Sequence, residues 1–390
     1  MSLTGYSYPW DHLGDDAAFD RVASLNLDVV ALAATYHATR LATPLHPTRR
    51  VTELDHSAAY FPLRGEAWTS RRLRPRAPDE WIGPHAFVDA VTQLVERGIE
   101  VDGWIVLTHV DDLETTNSDL AVRNAFGEIY SYALCPSHVE VREYCRTLVT
   151  ETLRSAPLRG VVLEACGPMG LEHSSAHDKI DVAQWGPLER QLLSLCFCHA
   201  CEVAMRNVGL ESAELARVVR EGLDRDAATM DDALGEMHDA VEAFRLSRST
   251  TLQFDVTDAA RRVNAEASVT LHASAQPWAT GSFAASSSDA LAPVNCAVAN
   301  CWDESRAAIE LSGVGPMTRS LGAYLRIDHD WSQSEQTLSR YASMGVKELH
   351  LYHLGLLSAA SAANAGRLAT TWRRRCDVGL DQIEESLSDE

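Results

Sequence analysis

Eight short apolar runs recur along the chain, and amphipathic or loop segments separate most of them. These runs show little alternation of apolar and polar residues, which is typical of parallel strands that are buried on both faces. Segments of helical period between them favour repeated βα units. The predicted strands cover residues 5–10, 27–34, 100–109, 160–165, 267–274, 294–300, 319–328 and 346–355. We therefore predict an α/β fold, a (β/α)8 TIM barrel.

The length of the chain fits one such barrel with an added segment. We expect all 390 residues to form a single barrel domain, with a large and mostly helical insertion at residues 166–265, after the fourth strand. A doubly wound sheet is the alternative, and it usually carries a glycine-rich turn after its first strand. Residues 8–16, "YPWDHLGDD", contain no G-x-G-x-x-G, so the barrel is favoured.

Charge and terminal sequence restrict the partners. Asp and Glu number 55 against 34 Lys and Arg, for a net charge of −21, and such a surface repels phosphate backbones. The first residues, "MSLTGYSYPWDHLGDD", do not resemble a secretion signal, and no run of about 18 apolar residues occurs. We expect a cytoplasmic protein that binds neither nucleic acid nor membrane and needs no organic cofactor. The sequence allows a homo-oligomer without deciding it.

One strand ends on a carboxylate. In "RGVVLEACGPMG", residues 159–170, an apolar run finishes at Glu164. The chemistry of (β/α)8 barrels lies at the carboxyl ends of the strands, and an apolar wall raises the pKa of a carboxyl group, as a general acid requires. A second carboxylate across the mouth would serve as nucleophile or base, with Asp328 as first candidate and Asp303 as second. Alternatively, Glu164 only caps a helix or pairs with Arg326.

Aromatic, basic and imidazole side chains occur near the other predicted strand ends. Flat rings stack on the apolar faces of sugars, and polar groups bind sugar hydroxyls, so we expect a carbohydrate substrate. Each residue taken alone could equally be structural. The candidate substrate-binding residues are Trp10, Tyr36, His37, Arg40, His109, His272, Trp302, Arg326, Tyr352 and His353. In the loop after strand four, His177 and Asp178 could also contact sugar hydroxyls.

Three cysteines lie within six residues. In "SLCFCHAC", Cys196, Cys198 and Cys201 form a C-x-C-x-x-C pattern, which predicts a metal site when a fourth ligand is near. Cys135 and Cys166 are both candidates for that ligand. Zinc would neutralise the thiolates and join the loop to the following helix. A redox C-x-x-C pair and three buried free thiols are the alternatives.

Three segments together carry a resemblance. "RNAFGEIYSYALCPSHVEVREY", "GVVLEACG" and "CFCHAC" resemble the family 42 β-galactosidases and other glycosidase-like barrels over roughly residues 100–205. The resemblance implies a barrel with Glu164 as the acid. It also implies a structural zinc bound by Cys135, Cys196, Cys198 and Cys201. Those enzymes carry Asn before the acid and a Glu nucleophile on strand seven, whereas this chain has Leu163 and only Asp328. The β-galactosidase activity itself therefore does not carry over.

Three hypotheses for function follow. The first is a glycoside hydrolase that uses Glu164 and Asp328 as a carboxylate pair at the barrel mouth. The second is a metal-dependent sugar isomerase, epimerase or lyase in which Glu164, His272, Asp328 and His353 hold a divalent ion. The third is a carbohydrate-binding barrel without catalysis.

Overall fold

Eight parallel strands close into a barrel in the computed structural model, which describes residues 2–111, 113, 115–171, 183–327 and 334–388. Each strand pairs with its neighbours in chain order, and the first strand pairs with both the second and the last, which closes the ring. The strands are β1 Ser2–Ser7, β2 Val29–Tyr36, β3 Glu100–Val106, β4 Gly160–Glu164, β5 Ser268–Ser274, β6 Cys296–Asn300, β7 Leu321–Arg326 and β8 Val346–Tyr352. This closed ring confirms the predicted (β/α)8 barrel.

The helices and short strands surround this ring. The α-helices are α1 Ala18–Ser24, α2 Gly65–Trp68, α3 Ala86–Glu96, α4 Val139–Ser155, α5 Pro187–Leu193, α6 His199–Arg206, α7 Ser212–Asp224, α8 Met230–Leu234, α9 His238–Val263, α10 Ser288–Leu291, α11 Glu304–Val314, α12 Ser334–Ser343 and α13 Ala359–Ser388. Antiparallel hairpins join Thr39–Ala42 to Val51–Leu54 and Ala121–Arg123 to Ile129–Leu134. Ala58–Ala59 and Ala284–Ala285 are two-residue strands that pair with β2 and β5. None of the helices formed by the described residues has the length and apolar character needed to cross a membrane.

The first predicted strand was placed three residues too late. Residues 5–10 were expected, but β1 covers Ser2–Ser7, and Pro9–Asp11 form a 3-10 turn. Proline lacks the backbone N–H that a strand ladder needs, and the Asp11 carboxylate accepts a hydrogen bond from the Tyr8 N–H at 2.8 Å, which holds the turn. Trp10 and Asp11 therefore lie beyond the strand rather than at its end.

Among the described residues between β4 and β5, five helices occur, α5 to α9. The loop that carries Cys196 separates α5 from α6. The longest of the five, α9, packs along α4 outside the barrel. His138 occupies the N-cap position of α4, and the Ser137 hydroxyl lies 3.1 Å from the Cys201 sulfur.

Rings rather than aliphatic side chains fill much of the barrel interior. The ring of Tyr6 on β1 lies 5.0 Å from Trp104, 4.8 Å from Tyr324, 5.7 Å from His272 and 5.9 Å from His350, measured between centroids. These side chains come from β3, β7, β5 and β8, so they meet at the barrel axis. Some of these buried polar groups contact one another: the Tyr6 hydroxyl lies 2.8 Å from His272 Nε2 and 3.1 Å from His350 Nδ1. This polar interior forms the floor on which the site is built.

Candidate active site at the barrel mouth

Glu164 is the last residue of β4, and its side chain is almost completely buried. The indole Nε1 of Trp104 donates a hydrogen bond to its Oε2 at 2.7 Å, and the Nδ1 atom of His272 lies 3.8 Å from the same oxygen. Burial raises the pKa of this carboxyl group to about 7, although hydrogen bonds from Ser282 and Trp104 oppose the shift. The group can therefore be protonated near neutral pH, as a general acid must be.

The backbone after Glu164 is held in an uncommon conformation. Ala165 has φ 53°, in the left-handed region, which costs a residue with a Cβ about 1–2 kcal/mol. The Thr108 hydroxyl donates to the carbonyls of Ala165 and Gly167 at 2.7 and 2.8 Å, and the Ala165 N–H donates to the Ser282 carbonyl at 3.2 Å. Several hydrogen bonds thus fix the turn that follows the carboxylate, and such strain concentrates at functional sites.

A cavity of about 620 Å³ opens over Glu164. This volume is in the range of sites that take small-molecule ligands. Polar and aromatic side chains from several strand ends and loops contribute to its wall. The lining residues include Tyr36, His37, Glu164, Arg190, Gln191, Ser274, Gln276, Trp278, Ser282, Phe283, Asn300, Trp302, Asp303, Arg306, Glu310, Tyr324 and Tyr352.

One wall of the cavity is aromatic. Trp302 follows β6, is 40% exposed, and lies nearly parallel to Tyr324, with the centroids 5.8 Å apart and an angle of 13° between the planes. Its ring also lies 4.8 Å from Tyr352 of β8. An exposed indole supported by the buried Tyr324 phenol and the half-buried Tyr352 phenol can stack on the apolar face of a sugar ring.

The residues predicted from strand ends and from the loop after strand four fall into four groups. Glu164, Tyr36, His37, Trp302 and Tyr352 line the cavity. Trp10, His109, His272 and His353 are buried, whereas Arg40 and Arg326 are exposed. Asp328, His177 and Asp178 lie outside the described residues.

Two of the buried residues have clear structural contacts. Trp10 stacks on Tyr8 with centroids 4.4 Å apart and contacts Tyr60 at 4.9 Å. His353 stacks on Tyr8 from 3.9 Å, and its Nδ1 accepts a hydrogen bond from the Gly355 N–H at 3.2 Å. Both support the wall of the mouth from behind.

Asp303, the alternative second carboxylate, lines the cavity but also caps α11. Its Oδ1 accepts hydrogen bonds from the Ser305 backbone N–H at 2.9 Å and from the Ser305 hydroxyl at 2.6 Å. These hydrogen bonds lower the pKa of this exposed carboxyl group. Asp303 therefore stays ionised at neutral pH, with one oxygen committed to the helix end.

Several residues of the site had no signal in the sequence. Glu310 lies within α11 and its Oε2 accepts a hydrogen bond from the Ser274 hydroxyl at 2.9 Å, although only the strand ends were searched for carboxylates. Trp104 is in the middle of β3, and Ser282 is in the loop after β5. An inward phase for β3 would have indicated Trp104, but β3 is buried on both faces, so its sequence does not reveal that phase.

A second group at the mouth could hold a metal ion. One potential ligand atom from each of His37, His109 and Asp111 lies within 4.8 Å of the others. The Nε2 atom of His109 is 3.5 Å from Asp111 Oδ1, and the other carboxylate oxygen accepts the Ala38 N–H at 2.6 Å. Two imidazoles and a carboxylate are a ligand set that divalent transition metals use.

The four cysteines implied by the family resemblance lie together. The sulfur atoms of Cys135, Cys196, Cys198 and Cys201 are all within 4.8 Å of one another, and Cys135 and Cys201 are 3.5 Å apart. Tetrahedral zinc with Zn–S bonds of about 2.3 Å places sulfur atoms roughly 3.8 Å apart, so the donor set fits this ion. Hydrogen bonds from the other thiols, Cys135 first, lower the pKa of Cys198. Cys166 is buried elsewhere, and its carbonyl accepts a hydrogen bond from Gln253.

No protein-family model matches the chain, and no curated protein matches it. Solved structures share its fold. The glycoside hydrolase domain of PgaB (BpsB) from Bordetella bronchiseptica has a TM-score of 0.58 at 14% identity, over 95% of this chain and 99% of that one. The α-L-fucosidase isoenzyme 2 of Paenibacillus thiaminolyticus (TM-score 0.55, 11% identity, 95% and 49%) and the β-galactosidase of Bacillus circulans sp. alkalophilus (0.55, 10%, 95% and 55%) are also similar.

The chain thus spans about half the length of the fucosidase and of the β-galactosidase. It has a glycoside hydrolase-like TIM barrel. At these identities the likeness is one of fold.

Proposed function

We propose that the protein is a glycoside hydrolase in which Glu164 is the general acid. The observation that carries the proposal is a buried carboxyl group with a pKa of about 7, placed in the wall of a cavity of about 620 Å³. The similar barrels that act on glycosides, and the exposed Trp302 ring, support a carbohydrate as the substrate. The sugar and the linkage stay undefined in this proposal.

In the proposed reaction Glu164 protonates the oxygen of the leaving group. The indole of Trp104 donates to Oε2 and fixes the carboxyl group, so the other oxygen can face the glycosidic bond. A second carboxylate then acts as nucleophile or as base for a water molecule. Asp328, which follows β7 by two residues, is our first candidate for that role, and Asp303 is the second.

The test is turnover of a panel of glycosides by the wild type and by Glu164→Gln. Loss of a general acid lowers the rate by about 10²–10⁴-fold, so we expect the variant to lose turnover while it still binds the sugar. Asp328→Asn and Asp303→Asn, assayed side by side, identify the second carboxylate by the larger loss. Turnover by Glu164→Gln at the wild-type rate would refute the role of Glu164. Saturable sugar binding without any turnover would favour a non-catalytic carbohydrate-binding barrel.

We also propose that Cys135, Cys196, Cys198 and Cys201 bind one structural zinc ion. This ion would tie the segment before α4 to the start of α6. We expect about one zinc per chain by metal analysis, lost in Cys198→Ser together with several kcal/mol of stability. Cys145→Ser is the matched control, because Cys145 is also buried but lies in α4. Wild-type protein without zinc, or a Cys198→Ser variant that retains it, would contradict the proposal.

A metal-dependent sugar isomerase, epimerase or lyase is the second candidate function. The group formed by His37, His109 and Asp111 favours it, because His37 lines the same cavity as Glu164. Here the metal would orient sugar hydroxyls or polarise a carbonyl group. Sugar interconversion that a chelator abolishes, and that Asp111→Asn also abolishes, would support this function over hydrolysis. Chelator-resistant hydrolysis would exclude it.

A further inference from the structure

Five side chains form a line through the barrel interior, from Glu164 at the mouth to Glu348 near the opposite end. The Nδ1 atom of His272 lies 3.8 Å from Glu164 Oε2, and its Nε2 lies 2.8 Å from the Tyr6 hydroxyl. That hydroxyl is 3.1 Å from Nδ1 of His350, whose Nε2 lies 3.9 Å from Glu348 Oε2. Tyr6, His272 and His350 are almost fully buried.

The two longer gaps occur at nitrogen atoms that need a partner. Among the buried side chains of the described residues, His272 Nδ1 and His350 Nε2 have no hydrogen-bond partner. Each nitrogen faces one of the two carboxylates. A buried polar atom without a partner is costly, so a small rotation or one water molecule that links nitrogen to carboxylate is favourable.

The Tyr6 hydroxyl couples the two histidines, because it carries a single proton. Burial lowers the pKa of His272 and lowers that of His350 to about 4, so both rings are neutral and each carries one N–H. If Tyr6 donates to His350, it must accept from His272, and if it donates to His272, it must accept from His350. The tautomer of one ring therefore fixes the tautomer of the other.

We propose that Glu164 and Glu348 share one proton through His272, Tyr6 and His350. In the first state Glu164 is protonated and donates to His272 Nδ1, His272 Nε2–H donates to Tyr6, Tyr6 donates to His350 Nδ1, and His350 Nε2–H donates to ionised Glu348. In the second state each proton has moved one step along the line, which leaves Glu164 ionised and Glu348 protonated. No charge remains on the rings in either state. The inference rests on the proposed role of Glu164 as an acid.

The surroundings of the two ends favour the first state. Burial raises the pKa of Glu164. Apart from the line of side chains that runs to Glu348, the titratable groups that face Glu164 are the phenols of Tyr36, Tyr324 and Tyr352, whose own pKa values burial raises. These phenols stay neutral. Among the described residues, the line formed by His272, Tyr6, His350 and Glu348 is therefore the path along which a proton can reach Glu164.

At the other end, burial raises the pKa of Glu348, but His350 and hydrogen bonds from Ser320 and Ser2 outweigh it and lower the pKa. The thiol of Cys296 and the Asp102–Arg159 ion pair also face this region. Because Glu348 is partly exposed, it can exchange protons with water and recharge the acid from behind a bound substrate.

Nuclear magnetic resonance of ¹⁵N-histidine in the wild-type chain tests the coupling without a substrate. We expect His272 and His350 both to be Nε2–H tautomers below the pKa of Glu164. As the pH rises past about 7, the shared proton is lost to water and both carboxylates are ionised. Both rings should then change together to Nδ1–H, which lets His272 donate to the buried Glu164 carboxylate, and both should stay neutral. Tautomers that do not change with pH, or that change at separate pH values, would overturn the proposal.

The variant Tyr6→Phe keeps the ring but removes the hydroxyl. We expect the pKa of Glu164, followed by the ¹³C resonance of its carboxyl group, to fall by about one to two pH units, because His272 is then free to donate to the carboxylate. Glu348→Gln should lower it in the same direction. Tyr341→Phe is the control, because it removes a buried tyrosine hydroxyl that lies in α12 rather than in the barrel interior.

An unchanged Glu164 pKa in both Tyr6→Phe and Glu348→Gln would refute the shared proton. The outcome does not depend on turnover. Coupled tautomers in a protein that hydrolyses no glycoside would refute the proposed function and leave this inference standing. Hydrolysis without coupled tautomers would refute this inference and leave the proposed function standing.

Discussion

Glu164 at the mouth and Asp102 at the floor are two buried carboxylates on adjoining strands, and they differ in what surrounds them. Asp102 near the start of β3 is 1% exposed and forms a two-point ion pair with Arg159, in which Nε donates to Oδ1 at 3.0 Å. Glu164 at the end of β4 accepts hydrogen bonds from neutral donors, Trp104 and Ser282.

Burial raises the pKa of both groups, but at Asp102 the hydrogen bond and charge of Arg159 oppose the shift. The floor carboxylate is engaged by an arginine in an ion pair that links β3 to the residue before β4. The hydrogen bonds to Glu164 at the mouth come from neutral donors, so this carboxyl group can bind or release a proton near neutral pH. Both carboxyl groups are buried, so the kind of partner, a charged arginine or a neutral donor, distinguishes the structural carboxylate from the candidate acid.

The largest expected effect is on stability at the floor. Asp102→Asn leaves the Arg159 guanidinium without its closest counter-charge in a mostly buried position, with the more exposed Glu100 carboxylate 3.9 Å away, which costs about 3–5 kcal/mol. We expect urea denaturation to show a loss of this size, and the folded fraction to keep the wild-type Glu164 pKa. A loss below about 1 kcal/mol would mean that the two carboxylates do not differ in the way described. Double replacement of Asp102 and Arg159 by Asn and Leu should recover part of the loss.

The stability of the protein should depend on pH through Glu164. The folded pKa of Glu164 is about 7, against an ordinary value of 4.5, so the folded state binds this proton more tightly than the unfolded state does. Stability from this group is complete below pH 4.5 and is lost as the pH rises to about 7. The loss amounts to about 3 kcal/mol, since one pKa unit corresponds to about 1.4 kcal/mol.

Glu164→Gln removes this titration. The variant should therefore gain stability over the wild type as the pH rises from about 4.5 to 7, with no further gain above about pH 7. Chemical denaturation of both proteins at several pH values measures the difference. A constant difference across that range would show that the pKa of Glu164 is not raised, and the contrast with Asp102 would then fail.

The sequence allowed prediction of the barrel because each strand is a local apolar run, and closure follows from eight βα units in chain order. It also placed Glu164 at a strand end, since the change from apolar to charged residues is local. It could not reveal the partners of Glu164. Trp104 reaches the carboxylate from inside an apolar run, and Ser282 reaches it from a loop, so both contacts depend on the three-dimensional path of the chain.

The same limit explains the polar interior. Tyr6, His272 and His350 lie on three strands that are far apart in sequence. In strands that are buried on both faces, the polarity of a side chain does not show whether it faces inward. His272 was expected to bind substrate, but the structure places it behind Glu164 rather than in the cavity wall. Cys135 was the easier case, because a family resemblance linked it to a cysteine pattern about 60 residues away.

The smallest predicted effect concerns two exposed tryptophans, Trp302 and Trp81. Trp302 and Trp81 are almost equally exposed, at 40% and 41%, but only Trp302 lines the cavity over Glu164. Stacking of an aromatic ring contributes about 0.5–1.5 kcal/mol beyond the buried area, so Trp302→Ala should weaken sugar binding by roughly threefold to tenfold or slightly more. Titration calorimetry with a sugar that the wild-type protein binds measures this change. Trp81→Ala should bind like the wild type, because the Trp81 ring packs under the Arg49 guanidinium instead. Equal effects of the two substitutions would place the sugar outside this cavity and separate its binding from Glu164.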